Sequence, residues 1–290
     1  MSSVSSPDSS PPQPTERTPS NLTQRLITSA VVLPFVLIAT WLGGIPFMAL
    51  SGAMALVGLI EFYLLASGRY SQGSVIIGVP MFIAIVLAFY LQQDALCLGA
   101  LIAGAVAALI LETVRHPNDF RRSLIQTGMT LFGVFYLAFP TGFLSATRGL
   151  PEYGLVWLLW IFALTWGTDT MAYIGGGVWG KRKLAPTISP KKTVEGAIVG
   201  IFGAWTPALI ILGLNGLISP ATLLITAIAP FVAIAGDLIE SYMKRWFGAK
   251  DSHIRGLDIL PGHGGVLDRV DSLVFVTTFV YFGMRLLSVI

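Results

Sequence analysis

Residues 194–214, VEGAIVGIFGAWTPALIILGL, decide the fold class of this chain. After Glu195 this stretch contains no charged residue. A helix needs about 20 predominantly apolar residues to cross the hydrocarbon core of a bilayer. The stretch therefore predicts a transmembrane helix.

Eight further stretches have a similar length and composition. Because nine spans of about 20 residues account for most of the chain, no large soluble domain fits between them. We predict an all-α, polytopic integral membrane protein of about nine transmembrane helices. The predicted spans are residues 26–44, 45–66, 74–91, 94–112, 124–144, 154–175, 194–214, 221–240 and 272–290.

The composition excludes other classes of protein. Of the 290 residues, 54% are hydrophobic and 11% are charged, whereas about a quarter of the residues in a soluble domain are charged. The net charge of +3 is too small for a nucleic-acid-binding surface, so we expect no nucleic-acid partner. The single cysteine, Cys97, excludes a disulfide framework and a cysteine-based metal site.

The two ends of the chain differ in character. Residues 1–21 contain seven Ser and five Pro and almost no apolar residue, which predicts a disordered tail. Residues 22–290 then form a single transmembrane domain. Lys and Arg accumulate on the cytoplasmic side of membranes. With the N-terminus inside, all of them except Arg148 and Arg285 fall inside. This bias predicts that the polar chemistry faces the cytoplasm.

The connection between the last two spans carries most of the candidate chemistry. Asp237, Ser241 and Lys244 are spaced i, i+4 and i+7, so they share one helix face. Asp268 and Asp271 share a face at the start of the last span. Three carboxylates beside cations predict a Mg²⁺ site that receives a phosphate. Alternatively, these residues have no catalytic role: acidic side chains are favoured at a helix N-terminus by the helix dipole, and Lys and Arg set the orientation of the chain in the membrane.

The run Gly262-His263-Gly264-Gly265 lies between these acidic residues, and the non-catalytic alternative does not explain it. Adjacent glycines let backbone N–H groups approach an anion closely. We expect His263 to contact a phosphate or metal-bound water. We also expect Gly264 and Gly265 to offer backbone donors.

A second polar segment follows the sixth predicted span. Asp169 lies near the end of that apolar span, where an ionised carboxylate costs a few kcal/mol and usually faces a polar cavity. Ser189 and Pro190 fit the N-cap and first position of a helix. Lys191, Lys192 and Thr193 would add charge and a hydroxyl to a phosphate site there; a basic cytoplasmic loop is the alternative.

These motifs resemble those of the phosphatidate cytidylyltransferase (CDP-diacylglycerol synthase) family. The matching elements are Asp-x-x-Ala-Tyr at 169–173, Ser-Pro-x-Lys-Thr-x-x-Gly at 189–196, Ser-x-x-Lys-Arg at 241–245, and Pro-x-His-Gly-Gly followed by Asp-Arg-x-Asp at 261–271. Two features depart from the family pattern: the spacer at 252–260 is longer than usual, and Gly177 stands where Lys or Arg is common.

The resemblance implies the reaction of CTP with phosphatidate to give CDP-diacylglycerol and pyrophosphate, in the plasma membrane of a bacterium. It implies Mg²⁺, as one ion or two, bound by Asp237, Asp268 and Asp271. Catalysis would also use Lys244, Arg245 and His263. The residues expected to contact substrate are Asp169, Ser189, Lys191, Lys192, Thr193, Ser241, Gly264, Gly265 and Arg269.

Two other functions compete with this one. A CTP-dependent lipid-alcohol kinase would phosphorylate a hydroxyl, although the His-Gly-Gly and Asp-Arg-x-Asp elements favour the cytidylyltransferase. A transporter of anionic solutes would place its charges at the membrane midplane, whereas these charges cluster at one face. A homodimer is compatible with the sequence, and Glu61 and Glu112 receive no role.

Overall fold

The fold is described from a computed structural model, which covers residues 21–67, 74–249, 252 and 265–290. The predicted tail lies outside these residues, except that Asn21 begins the first helix. His263 and Gly264 also lie outside the described residues, so their predicted roles stay predictions.

Nine α-helices and one two-stranded β-hairpin make up the described part of the chain. Their order is α1 (Asn21–Leu42), α2 (Gly44–Ser67), α3 (Val75–Leu91), α4 (Asp94–Arg115), α5 (Phe120–Arg148), α6 (Gly154–Trp179), β1 (Lys183–Ala185), β2 (Ser189–Thr193), α7 (Val194–Leu214), α8 (Pro220–Trp246) and α9 (Leu267–Leu286).

Six of the described helices, α2 and α4 to α8, are long and apolar enough to cross a membrane. The prediction of an all-α polytopic membrane protein is therefore confirmed, except that a small β-hairpin connects α6 to α7. The count of nine spans is not confirmed by the described helices. Helix α3 has 17 residues and is shorter than these six helices. The first turns of helix α9 contain Asp268, Arg269 and Asp271, which lower its mean hydropathy.

The hairpin corrects the prediction that a helix starts at Ser189 and Pro190. Residues Ser189–Thr193 form β2, which pairs antiparallel with β1, with Lys183 opposite Thr193 and Ala185 opposite Ser189. The helix starts at Val194, and the Thr193 hydroxyl is its N-cap, accepting the N–H of Gly196 at 3.1 Å. Local capping signals placed the helix start four residues too early, because distant contacts hold residues 189–193 in the hairpin.

Two buried clusters form the core, and α9 belongs to both. One cluster joins α2, α3 and α5 to α9 through Leu267 and Val274. The other joins α6, α7 and α8 to α9 through Leu273 and Val276. Because α9 packs on both groups, its N-terminal end is held where the two groups meet.

Helices α6 and α7 pack more closely than any other pair, and small residues make this possible. A Cβ atom on Gly200 would lie 2.8 Å from the carbonyl oxygen of Thr168, and one on Gly196 would lie 2.7 Å from that of Ala172. These backbone contacts fix the hairpin, which connects the two helices, relative to Asp169 on α6.

Candidate active site

The predicted polar residues meet where the C-terminal parts of α6 and α8 lie beside the N-terminus of α9 and strand β2. The structure brings together seven of the predicted site residues through ion pairs, hydrogen bonds and electrostatic interactions. These are Asp169, Lys192, Asp237, Lys244, Asp268, Arg269 and Asp271.

One ion pair connects the hairpin to α8. The ammonium group of Lys192 on β2 contacts the Asp237 carboxylate on α8. Both side chains are about one-quarter exposed, at 26% and 24%. The ammonium nitrogen of Lys192 is itself buried and has no hydrogen-bond partner among the described residues, so the exposed surface of this side chain belongs to its other atoms.

A second ion pair connects α8 to α9 and is more deeply buried. Lys244 Nζ lies 2.6 Å from Asp268 Oδ1 and 2.5 Å from Glu240 Oε2. Asp268 Oδ2 also accepts the backbone N–H groups of Gly265 at 3.1 Å and Ser252 at 3.3 Å. One lysine therefore serves two carboxylates, and both Asp268 oxygens are occupied.

Carboxylates outnumber the cations in this region. Asp271 interacts electrostatically with Asp237, Glu240 and Asp169, and all of these interactions are repulsive. Asp169 accepts the Ser272 hydroxyl at 2.8 Å and is attracted by Lys192 and Arg269. Such a concentration of like charge in a partly buried place favours the binding of additional cations.

The predicted Mg²⁺ ligands do not form a ready-made cage. Within residues 21–67, 74–249, 252 and 265–290, no three Asp, Glu, His or Cys side chains are arranged so that they could hold an ion. Asp237 and Asp268 are instead paired with Lys192 and Lys244. The donor type still suits Mg²⁺, which commonly uses one or two carboxylates and takes its other ligands from water and substrate phosphates.

An apolar pocket adjoins the charged region. Its walls come from α1, α2, α5, α6 and α9, and include Met54, Leu137, Leu144 and Phe162. Among the described residues, Arg269 is the only charged one that lines the pocket, and it also interacts with Asp169. The site therefore combines an ionic region with a hydrophobic compartment that has a cation at its edge.

The remaining predicted residues that are described lie outside this group of seven. Arg245 donates to the carbonyl oxygens of Ile188 and Ala249, at 3.3 and 3.1 Å, and so ties the hairpin turn to α8. Ser189 is half-buried in β2, Lys191 is exposed, and Ser241 is half-buried on α8 one turn after Asp237.

The structure also adds three residues that sequence reasoning missed. Glu240 is 1% exposed and binds Lys244; its i+3 spacing from Asp237 was a signal that could have identified it. Tyr136 of α5 interacts with Asp237, Glu240 and Asp271, and its hydroxyl is buried without a hydrogen-bond partner among the described residues. No local feature of the sequence distinguishes Tyr136 from other apolar-helix residues.

Glu61 of α2 accepts hydrogen bonds from the backbone at the start of α9.

Comparison with known proteins supplies independent information. Residues 23–287 match the model of the cytidylyltransferase family. A phosphatidate cytidylyltransferase of Brucella melitensis is 38% identical over 267 residues, which cover 90% of this chain and 93% of that protein. One from Bacillus subtilis is 34% identical, covering 92% and 99%. One from Staphylococcus aureus is 34% identical, covering 87% and 95%.

Proposed function

This chain belongs to the cytidylyltransferase family, and on that premise we propose that it transfers CMP from CTP to phosphatidate. An oxygen of the lipid phosphate attacks the α-phosphorus of CTP. The bond from that phosphorus to the bridging oxygen breaks, and pyrophosphate leaves with the electron pair. The products are CDP-diacylglycerol and pyrophosphate, so the enzyme acts in phospholipid biosynthesis.

The observation that carries this proposal is the pairing of an ionic site with an apolar pocket. Both reactants are anions, so they repel each other, and the leaving group gains charge as the bond breaks. Preorganised cations offset both effects in a water-poor site. Lys192, Lys244 and Arg269 supply such cations within one cluster.

Lys192 is the residue best suited to receive the triphosphate. Its partner Asp237 already experiences repulsion from Asp271 and Glu240, so the lysine is drawn into the cluster in the absence of nucleotide. The Lys192 ammonium is buried and has no hydrogen-bond partner among the described residues, so a phosphate group that reaches it would find unused N–H donors. The lysine then neutralises the nucleotide where the carboxylates would otherwise repel it.

The lipid substrate accounts for the apolar pocket. An acyl chain of phosphatidate would lie between α2, α5 and α9, against side chains such as Met54, Leu137 and Leu144. The guanidinium of Arg269 at the pocket edge would bind the lipid phosphate. The reacting phosphate then lies beside the cluster that holds the nucleotide.

Mg²⁺ is proposed as the cofactor, with Asp237 and Asp271 as its ligands. These carboxylates interact with each other, and two protein carboxylates suffice when substrate phosphates complete the coordination. Asp268 would join them by exchanging Lys244 for the ion. When bound, one ion or a pair would neutralise the phosphates and the leaving pyrophosphate.

The orientation is also part of the proposal. The ionic cluster and most of the described Lys and Arg residues lie at one end of the bundle, whereas Arg148 donates to the carbonyl oxygens of Thr40 and Trp41 at the other end. By the positive-inside rule, we assign the cluster to the cytoplasmic face of a bacterial plasma membrane. CTP from the cytoplasm and phosphatidate in the inner leaflet would meet there.

The test is transfer of labelled CMP by the purified protein. CTP labelled at the α-phosphorus is incubated with phosphatidate vesicles, with Mg²⁺ or with a chelator. The expected result is label in the lipid fraction and release of pyrophosphate, both dependent on Mg²⁺. Label from the γ-phosphorus in the lipid would instead indicate a kinase. Separation of the sample by size before the assay identifies whether a monomer or a homodimer is active.

A further inference from the structure

Glu61 of α2 is a buried carboxylate that binds a segment far away in the sequence. The side chain is 2% exposed. Its Oε1 accepts the N–H of Val266 at 3.0 Å, and its Oε2 accepts the N–H of Leu267 at 2.8 Å. Oε2 also accepts the hydroxyl of Ser252 at 3.3 Å. Three donors therefore converge on one carboxylate at the beginning of α9.

The same short segments also bind Asp268. The backbone N–H of Ser252 and that of Gly265 both donate to Asp268 Oδ2. Glu61 and Asp268 thus share Ser252, which donates its hydroxyl to one and its N–H to the other. A Cβ atom on Gly265 would lie 2.7 Å from Glu61 Oε2, so the backbone packs directly against this carboxylate.

The charge of Glu61 is balanced by hydrogen bonds and by the end of α9. Among the described residues, no Lys, Arg or His lies within 4.0 Å of its oxygens. Free N–H groups at a helix N-terminus stabilise an anion. A neutral amide of the same shape has only one acceptor oxygen, and its NH₂ group would face an N–H donor.

We infer that Glu61 is a positioning residue of the transfer reaction, which fixes the N-terminus of α9 and thereby directs Asp268 toward Lys244. Glu61 makes no hydrogen bond or ion pair to the seven clustered site residues; beyond the repulsion between its carboxylate and that of Asp268, its influence passes through Ser252 and residues 265–267. This inference rests on the proposed function, because its kinetic readout is CMP transfer. It adds a residue of α2 to a site built otherwise from β2, α6, α8 and α9.

The main test is Glu61→Gln in the full-length protein. Misplaced outer partners of a site typically lower activity about 10–100-fold, so we expect a fall of that size in kcat. The KM for CTP should change less than about threefold, because Glu61 does not touch the nucleotide. Hydrogen exchange at the amides of residues 265–267 should become faster, and this readout requires no activity.

Glu112→Gln is the matched control. Glu112 is also fully buried, and it pairs with Arg115 at 3.0 Å on α4, which packs on α3 and α5. This change should lower thermal stability without altering kcat per folded molecule or exchange at residues 265–267. Equal losses of kcat in the two variants would mean that Glu61 is merely structural and would overturn the inference.

Ser252→Ala provides a milder variant should Glu61→Gln fail to fold. It removes one of the three donors to Glu61, and we expect kcat to fall about three- to tenfold, in keeping with one lost hydrogen bond. Unchanged kcat and unchanged exchange in a folded variant would refute the positioning role. If the wild-type protein makes no CDP-lipid, the proposed function fails, and the exchange experiment still decides whether Glu61 holds α9.

Discussion

The two lysine–aspartate pairs of the site have the same chemistry but different surroundings. Lys192 and Asp237 are 26% and 24% exposed, and the pair joins a hairpin strand to a helix. Lys244 and Asp268 are 12% and 9% exposed, and the pair joins two core helices. Asp268 also accepts two backbone N–H groups, whereas Asp237 is surrounded by repelling carboxylates.

This difference indicates a division of labour. In the Lys192–Asp237 pair the lysine has no hydrogen-bond partner among the described residues, so we expect this pair to exchange partners when an anionic ligand or a cation arrives. The buried pair has no spare acceptor on Asp268 and a second carboxylate, Glu240, that depends on the same lysine. We therefore expect the first pair to control substrate binding and the second to hold α8 and α9 in place until Asp268 exchanges Lys244 for the ion.

The largest effect is expected from Lys244→Met. Removing one partner of a buried ion pair costs about 3–5 kcal/mol, because the remaining charge is left unpaired. Here Glu240 and Asp268 both lose their cation, so the free energy of unfolding should fall by at least that range and CMP transfer should be lost. Thermal unfolding in detergent and the labelled-CTP assay measure both. A stable, active variant would contradict the conclusion that the Lys244–Asp268 pair holds α8 and α9 together.

The next largest effect is on kcat, and the accompanying change in stability distinguishes Asp237 from Asp268. Asp237→Asn and Asp268→Asn should each lower kcat about 10²–10³-fold, the size expected for one electrostatic contact in a reacting site. Only Asp268→Asn should also lower stability, by about 1–3 kcal/mol, because its donors lose an acceptor. Asp237→Asn relieves repulsion and should leave thermal unfolding unchanged. Destabilisation by Asp237→Asn would contradict this division.

The smallest effect concerns substrate affinity. Lys192→Met should raise the KM for CTP by about tenfold, as expected for loss of one charge-assisted contact of about 1.4 kcal/mol, with stability nearly unchanged. Lys183→Met is the matched control, since Lys183 lies on the paired strand β1, is exposed and has no predicted role in the site. Steady-state kinetics at varied CTP distinguish the two. Equal KM values for both variants would remove Lys192 from the nucleotide site.

Sequence alone predicted the helices well because their apolar stretches are long. The predicted span 194–214 coincides with α7, and the span 154–175 lies within α6, Gly154–Trp179. The spacing of Asp237 and Lys244 on α8 and of Asp268 and Asp271 on α9 also gave the right helix faces. Periodicity and apolar length are local properties, so they can be read without knowledge of neighbours.

The hairpin and the partners of each charge could not be predicted in this way. Residues 183–193 are held by Arg245 on α8 and by Glu195, which accepts the N–H groups of Lys181 and Arg182. These contacts outweigh the local preference of Ser189-Pro190 for a helix start. Likewise, Glu61 meets residues about 200 positions away in the sequence, a relation that spacing cannot reveal.

The close backbone contact between α6 and α7 restricts the routes by which a lipid can reach the site. Gly196 and Gly200 leave no gap between the two helices that a hydrocarbon tail could enter. The seam is closed at these two positions. We therefore expect a diacyl substrate to approach the reacting phosphate from the other side of α6, where α1, α2 and α5 border the apolar pocket.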